Sequence, residues 1–155
     1  MKTNIVAGFN VSCVVDDRAY SYLPSREGNT LSDQIALHVL KHLAPDFKPY
    51  EWKDRGSDER QYCAPHANLP IASIMRTKYG EYPEYHTSLD RLGEVVTETG
   101  LYGAYTALKN AIEAIEKNTY PLVEVVCEPQ LGKRGMYPTL STVNTKAQVG
   151  LMMDF

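Results

Sequence analysis

Two segments of helical periodicity, set among short apolar runs, limit this chain to helices packed on a sheet. From about Leu31 to Leu43, the residues Ser32, Ile35, Ala36, Val39 and Leu43 recur at three and four positions, which aligns them on one helix face. Thr30 offers an N-cap and Pro45 closes the segment. A longer helix is expected from a Thr97 cap, through Leu101, Tyr105, Leu108, Ile112 and Ile115, to a stop near Asn118. Strand candidates are residues 5–15, running into Asp16 and Asp17, then 48–52 and 69–75, each bounded by Pro, Gly or charged residues. Residues 18–29 read as a polar, Tyr-rich loop. The order strand, helix, strand, strand, helix predicts an α/β fold, and the right-handed crossover rule favours parallel pairing of the first two strands. Past the second helix, 122–127 reads as a further strand, 128–138 as a Pro- and Gly-containing loop, and 149–155 as an apolar end.

With 155 residues, 43% of them hydrophobic, the chain can bury the core of one ordinary domain. Its net charge of −3 is spread along the sequence without a basic stripe, so a small molecule or peptide is the expected partner and nucleic acid is not. Cys13, Cys63 and Cys127 lie far apart. They read as free thiols of a reducing, cytoplasmic setting, not as a disulfide framework or a zinc knuckle. No apolar run approaches a membrane span and no signal peptide is expected.

The chemistry concentrates between Gly56 and Asp90. His86 stands in a loop between Glu84 and Asp90, a setting that suits a zinc-binding imidazole backed by carboxylates, although a surface histidine is the commoner use of such a loop position. Asp16 and Asp17 are placed to bind a metal from a strand end or simply to start a turn. Asp58 and Glu59 offer paired carboxylates for a ligand and a general base, or an Asx turn. Arg26, Arg60, Arg76 and Arg134 sit in loops, where a guanidinium fork can clamp a carboxylate. His38 and His42 have metal-ligand spacing on the first helix, but Val39 stands where the zinc-protease motif needs glutamate, and the pair reads as a solvated face. Cys63 and His66, beside Tyr62, raise a cysteine-hydrolase reading without any sign of thiolate activation.

Gly56-Ser57-Asp58, then Leu69-Pro70-Ile71-Ala72-Ser73-Ile74, then Tyr85-His86-Thr87-Ser88-Leu89-Asp90 resembles the late part of co-catalytic zinc aminopeptidases and their glutaminyl cyclase relatives. Ser12-Cys13-Val14-Val15-Asp16-Asp17, Ser25-Arg26-Glu27-Gly28-Asn29-Thr30 and Cys127-Glu128-Pro129-Gln130-Leu131-Gly132-Lys133-Arg134-Gly135 extend the resemblance, over nearly the whole chain, to a bacterial aminopeptidase-like branch of unassigned role. The resemblance implies a three-layer αβα peptidase-like architecture with a mostly parallel or mixed sheet. It also implies zinc as cofactor, with Asp16 and His86 as ligands. Arg26, Asp58, Glu59, Arg60, Tyr85 and Arg134 would then meet a peptide or amide substrate. A further histidine, a bridging aspartate and a Glu-Glu pair that includes the general base precede the corresponding strand in that family and are absent here. The expectation is therefore the C-terminal half of a metallohydrolase domain at residues 1–120, with 121–155 as its strand-and-loop extension and a winged-helix-like module to follow. A homodimer or a missing N-terminal half would complete the site. The rival reading is an inactive binding module on the same fold.

Overall fold

The structure is a computed structural model and describes residues 4–119 together with Leu122, Cys127, Lys133 and Gly135. The chain divides into two compact units, Met1–Asn118 and Thr119–Phe155, and every element below belongs to the first. The strand, loop and apolar end expected within 122–155 lie outside the described residues, apart from those isolated positions.

Unit 1 is a mixed α/β fold, as expected. Four short strands, β1 (Gly8–Asn10), β2 (Ser21–Leu23), β3 (Lys48–Pro49) and β4 (Ile71–Met75), form one sheet in the order β1-β4-β2-β3. β1 runs parallel to β4, and β2 parallel to β3, while β2 and β4 are antiparallel. The helices are α1 (Leu31–Leu43), α2 (Glu59–Tyr62) and α3 (Glu98–Lys117), with a 3-10 turn at Trp52–Asp54.

β2 falls inside the segment expected to be a loop, and all three of its residues are buried. Its run is too short to show a period against the polar residues around it, so pairing with β3 and β4 on both sides decides its state. β2, α1 and β3 are thus the parallel crossover unit that the handedness rule anticipates, with β2 in the place expected for residues 5–15. That expected strand shrinks to Gly8–Asn10, and Asp16 follows in irregular backbone.

Side chains alternate across the sheet. Tyr22, Ala72 and Ile74 pack with Ile35, Ala36, Val39 and Leu40 of α1 and with Ala107 and Ala111 of α3. Leu23 and Met75 point the other way, against Tyr79, Cys13, Tyr50, Trp52 and Tyr85. The two long helices share the first cluster, and loops, the 3-10 turn and aromatic rings build the second.

α1 spans the expected residues behind Thr30. The Thr30 N–H and hydroxyl donate to Asp33 at 2.8 and 2.7 Å, which fixes the first turn. Leu40, not Leu43, completes its buried stripe. α3 also starts at its expected cap, the Thr97 hydroxyl accepting from the Gly100 N–H at 3.0 Å. Its buried face, however, is Gly100, Ala104, Ala107 and Ala111, whereas Leu101 (45%), Tyr105 (60%) and Ile112 (56%) are exposed. The two stripes are offset by one residue and share a period, and Leu108 and Ile115 of the expected stripe still pack against the first cluster. Close approach selects the small one. A Cβ on Gly100 would overlap the Val15 carbonyl, and one on Gly103 would lie 2.5 Å from the Tyr20 hydroxyl.

Candidate functional site

A cavity of about 460 Å³ opens between residues 11–15, Ser57 and the loop at 82–90. The backbone of 11–15 leaves β1 and is pinned at two carbonyls. Cys13 O accepts from the Arg76 N–H at 2.8 Å, and Val15 O from the Thr97 N–H at 3.0 Å, so β4 and the start of α3 set its path. Cys13 adopts a left-handed conformation (φ 49°), and so does His86 on the opposite wall (φ 58°). Such backbone is uncommon for these residue types and is held by the surroundings.

The His86 ring stacks on Tyr85 with centroids 3.9 Å apart and planes 17° from parallel. Tyr85 meets Tyr82 edge-on at 5.6 Å, and the Tyr82 hydroxyl donates to Asp90 at 3.5 Å. The loop that carries them is tied by the Thr87 hydroxyl, which donates to Glu84 O at 2.7 Å, and by the Arg18 guanidinium, which grips Glu84 with two bonds of 2.8 and 2.9 Å. Arg18 holds the Glu84 carboxyl below its ordinary range. Glu84 therefore braces the loop through Arg18.

Asp16 is buried, 2% exposed, and does not line the cavity. Its carboxylate accepts from the Thr77 N–H at 2.9 Å, the Thr77 hydroxyl at 2.5 Å and the Arg18 N–H at 3.0 Å. Its carbonyl accepts from Arg76 Nε at 2.7 Å, and that guanidinium lies 3.7 Å over the Tyr20 ring. Asp17 is exposed and accepts from the Thr97 hydroxyl at 3.1 Å.

Glu59 has a similar interior role. It is fully buried and accepts from Asn10 Nδ2 (2.9 Å), the Gly56 and Ser57 N–H groups (both 2.8 Å) and the Tyr79 hydroxyl (2.9 Å). Burial alone would raise its pKa, but these donors outweigh it and hold the carboxyl below the ordinary range. Glu59 thus ties the Gly56–Ser57 turn to β1 and Tyr79, where a substrate contact was expected. Asp58, Arg26 and Arg60 are exposed and stand off the cavity wall. Arg134 lies outside the described residues. Of the expected site, the cavity gathers His86 and Tyr85, and Asp16 is not among the residues that line it. Tyr82, Ser12 and Ser57 join them. Tyr82 was readable only from its place three residues before Tyr85, and Ser12 only as the start of the motif that runs to Asp17.

The fit of zinc can be tested on these contacts. Both Asp16 oxygens are taken by protein donors, and among the described residues no group of three or more His, Cys, Asp or Glu could hold a metal ion. Zinc does not fit the described residues taken alone, since a catalytic ion needs about three protein ligands. Cys13 and Cys63 show no sign of thiolate activation. Burial pushes Cys13 up, the Ser12 hydroxyl only partly offsetting it. Cys63 is fully buried, also raised by burial, and directs its sulfur at the Leu69 and Ile71 carbonyls at 3.3 Å each. Both stay protonated at neutral pH. All three cysteines are free.

Comparison with known proteins gives a consistent picture. A curated protein of Clostridium acetobutylicum, named "Putative polysaccharide biosynthesis protein with aminopeptidase-like domain", is 39% identical over 135 residues, 86% of this chain and 31% of that protein. A crystal structure titled as a putative peptidase from the same organism matches with a TM-score of 0.75 and 38% identity, over 86% of this chain and 32% of the other. The chain therefore has a peptidase-like fold and spans about a third of the length of these relatives. Residues 117–155 match a winged helix-turn-helix family, so that match begins inside this chain, at the end of α3. Residues 1–118 match the family model described as a domain of unknown function, DUF4910, and the chain belongs to that family.

Proposed function

We propose that unit 1 carries the substrate-side wall of an aminopeptidase-like hydrolase that acts on peptide or amide bonds. The carrying observation is the 460 Å³ cavity that places His86, Tyr85 and Asp90 on one wall, in a chain 38% identical to a peptidase-like structure. The stacked Tyr85–His86 pair offers a flat face for a side chain or planar amide. Asp90 offers a carboxylate for a substrate amine, with Tyr82 orienting it. Zinc at His86, which would polarise the scissile carbonyl and activate water, requires ligands and a general base from outside the described residues. The cytoplasm suits three free cysteines. Among the described residues no helix is long and apolar enough to cross a membrane.

A second reading has its own support. Asp16 accepts three hydrogen bonds from Thr77 and Arg18, which favours a non-catalytic module that holds the same ligand without turning it over. For either reading nucleic acid is left out as a partner. The 117–155 stretch sets Lys117, Lys133, Arg134 and Lys146 against Glu124, Glu128 and Asp154, without the basic stripe that phosphate contacts need.

The test is calorimetric titration with a short peptide carrying a free N-terminal amine and with its acetylated form, alongside hydrolysis assays with and without added zinc. Binding of the free-amine peptide, lost in His86→Ala and Asp90→Asn, is expected. Zinc-dependent cleavage supports the hydrolase, and binding without cleavage supports the module. No binding and no cleavage would reject both.

A further inference from the structure

We infer that His38 and His42 form a bidentate site for a divalent transition-metal ion, separate from the peptidase-like cavity. The two side chains stand one turn apart on the exposed face of α1, and their rings meet with centroids 4.7 Å apart and planes at 67°. They also line a second cavity, of about 320 Å³, whose far wall is Asn110 and Ala114 of α3. An imidazole pair at this helical spacing can turn two ring nitrogens toward one point.

Rings whose centres lie 4.7 Å apart are near enough for one nitrogen of each to bind a shared ion through bonds of about 2 Å. Imidazole suits first-row transition ions such as nickel, copper and zinc. Asn110 lines the same cavity, so its amide oxygen is the candidate for a third ligand, with water filling the remaining positions. The backbone carbonyl end of α1 adds a favourable field for a cation over its last turns. Both histidines are exposed, so the ion has access without any rearrangement of the core.

Nickel is the probe, because copper would also oxidise the free thiols. The full chain is titrated calorimetrically with Ni²⁺ at a pH above the ordinary imidazole value of about 6.5. One saturable site is expected, with affinity reduced at least about tenfold in His38→Ala and in His42→Ala, because a single imidazole loses the gain from the second, intramolecular ligand. Asn110→Ala should weaken binding less. His86→Ala and Cys127→Ser, which remove the imidazole of the peptidase-like cavity and the exposed thiol, should leave the affinity unchanged. Circular dichroism of the α1 variants should match the parent, since neither ring enters the core. The inference is overturned if binding survives in both α1 histidine variants, if only one of them matters, if His86→Ala or Cys127→Ser abolishes binding, or if the parent shows no saturable site.

Discussion

Two residues, Asp33 and Glu59, show how this small domain uses charge inside. Asp33, 1% exposed, accepts from the Tyr22 hydroxyl (2.8 Å), the Ser25 N–H (2.8 Å) and hydroxyl (2.6 Å), and both donors of Thr30. Burial would raise its pKa, yet the Ser25 and Thr30 bonds prevail and lower it. Glu59 follows the same logic. A carboxyl depressed in the folded state stabilises above its unfolded pKa, and that stabilisation is lost as the pH falls through the folded value. From ordinary values of 3.8 and 4.5, the loss should begin below about pH 5 and continue downward. Urea denaturation across that range should show Asp33→Asn with a shallower acid decline than the parent. Glu59→Ala strands Asn10, Tyr79 and two N–H groups, and should cost about 3 kcal/mol in the same assay. Glu59 was legible as one of a pair of carboxylates, and Asp33 carried no signal of its own. The burial of either was not legible, because local sequence does not say which donors the fold brings to them.

At the level of elements, α3 gives the sharpest contrast between pattern and packing. Its start at Thr97 and its end near Asn118 follow from cap chemistry that acts within a few residues. Which of its two interleaved stripes faces the sheet depends on the Val15 carbonyl and the Tyr20 ring, far away in the chain. Gly100→Ala should therefore destabilise strongly, by several kcal/mol, through overpacking against backbone. Tyr105→Ser, which removes a large side chain from the exposed stripe, should change stability by no more than about 0.5 kcal/mol. Thermal unfolding of the two variants side by side distinguishes the observed facing from its reverse, in which the losses would exchange. Leu40→Ala in α1, a fully buried position, should cost about 3 kcal/mol.

For the molecule as a whole, the sheet leaves β1 and β3 as its two edges among the described residues. Unpaired strand edges offer a template for another strand, so we propose that a second copy pairs with unit 1 in solution. Sedimentation should show a dimer, and a monodisperse monomer would reject this. The relatives, about three times the length of this chain, provide the contrasting sample.

The sequence by itself determined both long helices, their caps and the mixed α/β class, and it singled out the histidine loop at 84–90 as a candidate for chemistry, because periodicity, capping and side-chain inventory are local properties. Only the tertiary structure decided that Ser21–Leu23 is a strand, that α3 presents its small residues inward, and that Asp16 and Glu59 serve interior hydrogen bonds while Tyr82 joins His86 at the cavity. Each of those outcomes depends on partners distant in sequence. Pairing, close approach and the supply of donors to a buried charge are set where the chain meets itself.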